Sequence, residues 1–228
     1  MAKGTIALGQ FRGKCGGQVF RVVNGSQVIQ NYNPEPKKSS TYPQLAQRAG
    51  MRAISQIGSA MLAAIKYGFS TRYYPFSVFV KENLKHSVVS ATGPDSVEIN
   101  WGMLKFAENT VHHNTQVAVG TVDYGESVHL TVKVPFTITS DLPTSDFKVV
   151  AALYCPDFEL GVVSLPVAAE AGNATIALPA AWDGITVQVY VFAYVNAGTI
   201  DPDAVDTTHT RLPFYTSASV YGGYGDVQ

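Results

Sequence analysis

Ile185-Thr186-Val187-Gln188-Val189-Tyr190-Val191-Phe192 alternates β-branched residues with polar and aromatic ones over eight positions. A period of two is strand chemistry, because successive side chains on a pleated backbone point to opposite faces. The stretch therefore reads as a strand with one apolar and one mixed face. Working outward, the same alternation recurs in Val128-His129-Leu130-Thr131-Val132-Lys133-Val134 and in Val97-Glu98-Ile99-Asn100-Trp101. Further strands are expected over residues 116–122, 147–154, 161–166, 174–178 and 214–220, with Gly, Pro, Asp and Asn turns between them. Short strands at this spacing predict an antiparallel, immunoglobulin-like β-sandwich over residues 96–228. The glycine-rich end, Tyr221-Gly222-Gly223-Tyr224-Gly225-Asp226-Val227-Gln228, is expected to be flexible alone, with a neighbouring subunit able to order it.

Upstream the pattern changes. Gln18-Val19-Phe20-Arg21-Val22-Val23 and Ser26-Gln27-Val28-Ile29-Gln30-Asn31 flank Asn24-Gly25, a hairpin signal because a type I′ turn needs positive φ at both central residues. Gly13, Gly16 and Gly17 precede a strand and lack the Gly-Lys-Ser/Thr order of a phosphate loop, so a tight bend explains them. Asn33-Pro34-Glu35-Pro36-Lys37-Lys38-Ser39-Ser40 reads as an extended linker, since proline biases its predecessor away from helix. Leu45, Ile54, Ile57, Met61, Leu62 and Ile65 then follow mostly at helical spacing to about Gly68, with Pro43 at the start. Gly50 and Gly58 weaken such a helix and fit a close packing contact. A shorter helix is expected over residues 76–89. The resulting fold class is mainly β with a helical element. Its division is a basic hairpin, linker and helices over 1–95 and an acidic sandwich over 96–228.

The 228-residue chain is 46% hydrophobic and 14% charged, which excludes a wholly disordered chain and allows a core without disulfides or metals. No apolar run approaches the roughly 20 residues of a membrane-crossing helix; residues 147–155 are interrupted by Lys148 and bounded by Pro156. The N-terminal residues lack the continuous apolar stretch of a secretory signal, so synthesis in a cytoplasm without Sec export is expected. A net charge of −1 conceals a split. Residues 1–75 hold ten bases and the single acid Glu35, a balance of +9, and the remainder stands at −10. A basic segment of this kind meets nucleic acid or an acidic protein surface, or is simply a solvated face. Among its bases, Arg12, Lys14, Arg21, Lys37, Lys38, Arg48 and Arg52 are the candidate interaction residues. An identical neighbour supplies an acidic partner, and a head-to-tail contact between copies generates rings or filaments.

Residues that could do chemistry do not converge. His112-His113 is the only local histidine pair, and neighbours on a strand point apart. Asp201-Pro202-Asp203 with Asp206 lacks the glycine and terminal glutamate of a calcium loop. Cys15 and Cys155 share no metal-ligand spacing and read as reduced thiols. No nucleophile elbow or His-Glu-x-x-His sequence occurs. The expectation is a non-enzymatic protein without catalytic residues, cofactor or metal. Tyr154, Tyr190, Phe192, Tyr194, Phe214, Tyr215, Tyr221 and Tyr224 offer either core or a sugar-binding platform.

Gly9-Gln10-Phe11-Arg12-Gly13-Lys14-Cys15-Gly16, Asn33-Pro34, Gln44-Leu45-Ala46-Gln47-Arg48, Asn83-Leu84-Lys85 and Tyr154-Cys155-Pro156 together carry a resemblance. The chain resembles a family of uncharacterised proteins of Bacteroidota genomes, their prophages and their phages. It departs from them by Glu35-Pro36-Lys37-Lys38-Ser39-Ser40, where a shorter basic segment often stands. The resemblance implies a structural subunit of a phage virion at the neck, tail or capsid, contacting copies of itself and other virion proteins. A sugar-binding or adhesive module is the alternative.

Overall fold

The computed structural model describes residues 2–4, 12–23, 26–31, 41–86, 88–93, 96–111, 114–125, 130–196, 198 and 214–227. The chain forms two compact units, 1–41 and 42–228.

The first unit is a four-stranded antiparallel sheet of β1 (Ala2–Gly4), β2 (Gly13–Cys15), β3 (Gln18–Val23) and β4 (Ser26–Asn31), in the order β1-β4-β3-β2. The β3–β4 register runs from Gln18 opposite Asn31 to Val23 opposite Ser26, which is the expected hairpin; its Asn24-Gly25 turn lies outside the described residues. The glycine stretch builds a second hairpin. Gly16-Gly17 reverses the chain between β2 and β3, with Gly16 at φ 58°, a conformation open to glycine at little cost.

The second unit begins with α1 (Tyr42–Ala60), α2 (Leu62–Gly68) and α3 (Pro75–His86). The single helix expected to Gly68 is broken at Met61, whose backbone stands at φ −104°, ψ 22°. Met61 is fully buried, and the close approach of its thioether leaves no room for a side chain at Gly161. Gly58 does for α3 what the sequence predicts: a Cβ there would lie 2.8 Å from Phe79. The strands follow as β5 (Val88–Gly93), β6 (Ser96–Ile99), β7 (Gln116–Val119), β8 (Thr131–Thr139), β9 (Lys148–Cys155), β10 (Leu160–Val163), β11 (Val167–Ala168), β12 (Asn173–Ala177), β13 (Thr186–Asn196), β14 (Phe214–Thr216) and β15 (Val220–Asp226).

Two antiparallel sheets make the sandwich. One has the path β10-β9-β13-β14, with β11 also on β9 and β15 also on β13; the other is β12-β8-β7. β5 and β6 form a separate pair. The central strands β9 and β13 carry the architecture, because both of their faces are buried. Val149, Ala151, Leu153, Val187, Val189, Val191 and Ala193 pack with Val132, Val134 and Phe136 of the second sheet. Their neighbours Val150, Ala152, Tyr154, Tyr190, Phe192 and Tyr194 pack with Ile54, Ile57, Met61, Ile65 and Phe79 of the helices. The face expected to be mixed is thus a second core. Its polar atoms are satisfied internally, Tyr190 Oη donating to the Trp101 carbonyl at 3.0 Å and Tyr221 Oη to Gln188 Oε1 at 2.5 Å.

This three-layer arrangement of sheet, sheet and helices moves the expected boundary. The division falls at 41/42 and not at 95/96, since an amphipathic helix buries its stripe on the nearest apolar face, here the outer face of β9 and β13. The C-terminal end also differs from expectation. β15 pairs with β13 from Thr186–Asp226 to Val191–Val220, and Val227 is fully buried. It needs no neighbouring subunit for order.

Candidate interaction surface

In an antiparallel ladder, residues directly opposite share a face. Lys14 lies opposite Val19, two positions along β3 from Arg21. Arg12, one residue before the Gly13–Phe20 pair, falls at the position facing Arg21. Three cations therefore occupy one face of the small sheet, at the roughly 5 to 8 Å separations of direct and diagonal neighbours. All three are exposed, and the Arg21 guanidinium donates to Gln30 Oε1. Residues 1–41 hold six bases against Glu35, a balance of +5.

The other candidate residues are distributed. Arg48 and Arg52 are exposed on α1, in the second unit, where Lys66 of α2 continues a stripe without an acid between residues 42 and 68. Lys37 and Lys38 lie outside the described residues.

The second unit holds ten bases and sixteen acids, net −6. Its topology collects several acids at the end of the sandwich where β9 finishes and β13 starts. Asp157 and Glu159 sit on the turn from β9 to β10, and Asp183 precedes β13. Asp226 lies opposite Thr186, and Asp123 adjoins Tyr124, whose ring covers Gly225. Each of the five carboxylates is exposed. Asp226 accepts from Thr186 Oγ1 at 2.5 Å, Glu159 from Gln56 at 3.4 Å and Asp123 from the Gly125 amide at 3.1 Å; Lys133 pairs with Asp123 through backbone hydrogen bonds.

Other chemistry finds less support. Among the described residues no group of three or more His, Cys, Asp or Glu side chains could hold a metal ion. His112-His113 and Asp201, Asp203 and Asp206 lie outside the described residues. Cys15 is exposed and Cys155 buried, both free. An open groove of about 470 Å³ runs between β7 and the chain at Ala218 and Val220, and none of its described lining side chains ionises. Of the aromatics singled out, Tyr154, Tyr190, Phe192 and Tyr194 are core. Burial pushes the Tyr154 phenol up to about 12 and raises Tyr190 further, which suits structure and not proton transfer.

Sequence reasoning passed over Tyr73 and Tyr74. They are 80% and 67% exposed, with rings edge to face at 4.5 Å, on the turn between α2 and α3. Ser70 Oγ donates to the Phe214 carbonyl at 2.9 Å, and the Arg72 guanidinium grips Glu108, so the turn is fixed. Two adjacent tyrosines before a proline, off any apolar stripe, were the available signal.

No family model, curated protein or solved structure matched the chain in three comparisons.

Proposed function

We propose that the protein is a non-enzymatic structural subunit of a bacteriophage particle, at the neck, tail or capsid, and that its N-terminal unit is the connector to neighbouring subunits. The observation that supports this reading most is a separate small sheet with a like-charged face, joined to a body of opposite net charge. A sheet with cations opposite one another bears a repulsive cost that an external acidic surface removes. The family resemblance points the same way by association. The test is mass spectrometry of purified virions together with deletion of residues 1–40. The protein is expected in the particle, and the truncated form is expected to fold and stay soluble yet be missing from it. Absence of the intact protein from virions overturns the assignment; normal incorporation of the truncated form removes the connector.

A second reading rests on Tyr73 and Tyr74. A rigid turn presenting two exposed rings suits stacking on a sugar ring, as in an adhesive module. Binding on a glycan array that is lost in Tyr73→Ala/Tyr74→Ala is the expected result under this reading, and no binding at high protein concentration counts against it.

A further inference from the structure

The two units carry opposite charge in specific places. On the first, Arg12, Lys14 and Arg21 share one sheet face with no carboxylate in the sheet. On the second, Asp123, Asp157, Glu159, Asp183 and Asp226 gather at one end of the sandwich, with Lys133 the base beside Asp123. We infer that the basic face of one copy docks on this acidic end of a second copy, making a head-to-tail contact. This rests on the reading of the N-terminal unit as a connector and adds its partner surface.

Three arguments favour a second copy over the phosphate backbone of DNA. On the basic face the half-buried Val19 stands beside Lys14 and Arg21, a mixed surface that matches a protein better than a ladder of phosphates. The acidic end lies where β9 finishes and β13 and β15 pair, so the sheet topology collects these carboxylates at one end in every copy. Finally, the complementary surfaces occur in every copy in a one-to-one ratio. Because the two surfaces differ, the contact is heterologous and leaves each copy one unused face of either sign. It propagates into a ring or filament, the form a virion neck or tail requires.

A heterologous contact has two halves that fail separately, which makes it testable with full-length protein. Lys14→Glu/Arg21→Glu is expected to remove the basic half, and Asp157→Lys/Asp183→Lys the acidic half. All four positions are exposed, so circular dichroism should match the wild type. In analytical ultracentrifugation the wild type is expected to self-associate, and each variant alone to be monomeric. In an equimolar mixture of the two variants the intact basic face of one meets the intact acidic end of the other, and the two reversed halves are complementary as well, so self-association is expected to return; a mixture that stays monomeric overturns the contact. Raising salt to about 1 M, where screening falls to about 3 Å, should weaken that association roughly tenfold or more.

A second measurement avoids variants. Carbodiimide crosslinking of mixed light and heavy isotope-labelled protein should join Lys14 of one copy to Asp157 or Asp183 of another. Crosslinks confined to single copies, a wild type monomeric at every concentration, or variants that still assemble each overturn the contact. So does loss of duplex DNA binding in Lys14→Glu/Arg21→Glu with self-association intact. Virion composition is read separately: a protein absent from particles but associating head to tail sinks the virion assignment and leaves the contact standing. One found in particles without self-association does the reverse.

Discussion

Tyr190 shows how single side chains fix this molecule. Its ring contacts Phe106 at 4.7 Å and Tyr221 at 5.4 Å, its hydroxyl reaches the Trp101 carbonyl, and it is fully buried. Tyr190→Phe keeps the ring and leaves that carbonyl without its donor, so a loss of about 1 kcal/mol at neutral pH is expected in urea unfolding. The same burial sets the alkaline limit. Desolvation pushes Tyr154 and Tyr124 up to about 12, against the model-peptide value of about 10. Between those values the folded chain keeps protons that the unfolded chain releases, so the stabilisation is complete below pH 10 and is lost as pH rises towards 12. Thermal unfolding measured from pH 8 to 12 should show the midpoint falling above pH 10, with a shallower fall in Tyr154→Phe. Gly68 matters for the side chain it lacks. An added Cβ would lie 1.7 Å from the Phe106 carbonyl oxygen, and the Gly68 carbonyl accepts from Glu108 N and Thr216 Oγ1. Gly68→Ala is expected to cost more than about 4 kcal/mol, in the range reserved for backbone clashes in a core.

At the scale of elements, local chemistry was legible where one stretch decides its own conformation. Asn24-Gly25 between two alternating runs predicted the β3–β4 hairpin, and β8, β9, β12 and β13 overlap the expected runs, with β8 and β13 running on to Thr139 and Asn196. What the sequence hid was which second surface each element meets. Gln188, Tyr190 and Tyr194 look like the wet face of a strand, yet tyrosine buries its ring and hydrogen-bonds its tip, so that face serves as core beneath α1 and α3. The C-terminal stretch was misread for the converse reason. Gly222 and Gly225 lack the side chains that announce a strand because Val119, Val189 and Tyr124 fill that space. The candidate site was legible as charge, since ten bases before residue 76 are visible in any reading. The face shared by Arg12, Lys14 and Arg21 required the β2–β3 register, and the acidic end required the order of β9, β13 and β15. Truncation after Ser219 tests the element that was missed. It removes the ladder from Thr186 to Val191 and the buried Val227, whose amide donates to Ile185 and whose carbonyl accepts from Gly184. Far-ultraviolet circular dichroism and solubility should show an unfolded, aggregating product; a soluble folded one would mean β15 is dispensable.

For the whole molecule, the consequence is a division of labour along the chain. Both hydrophobic clusters lie in residues 42–228, and this unit contains the helices, both sandwich sheets and every buried aromatic ring among the described residues. The small sheet of residues 1–41 holds few buried apolar side chains, Val28 at 4% exposure being the one in the described core. A body with two cores and satisfied buried polar atoms has what independent folding requires, whereas a four-stranded sheet of this size is marginal alone. Residues 42–228 expressed without the first unit are therefore expected to unfold in one cooperative transition, with a midpoint within about 4 °C of the full chain, the shift that roughly 1 kcal/mol produces at this length. Its net charge becomes −6, so its mobility in native electrophoresis should move towards the anode. Residues 1–41 alone should show no cooperative transition and gain one only with an acidic partner. A body that loses its transition on removal of residues 1–41 would place the small sheet in the protein's own core, and the +5 of that sheet would then answer to the fold and not to a neighbour.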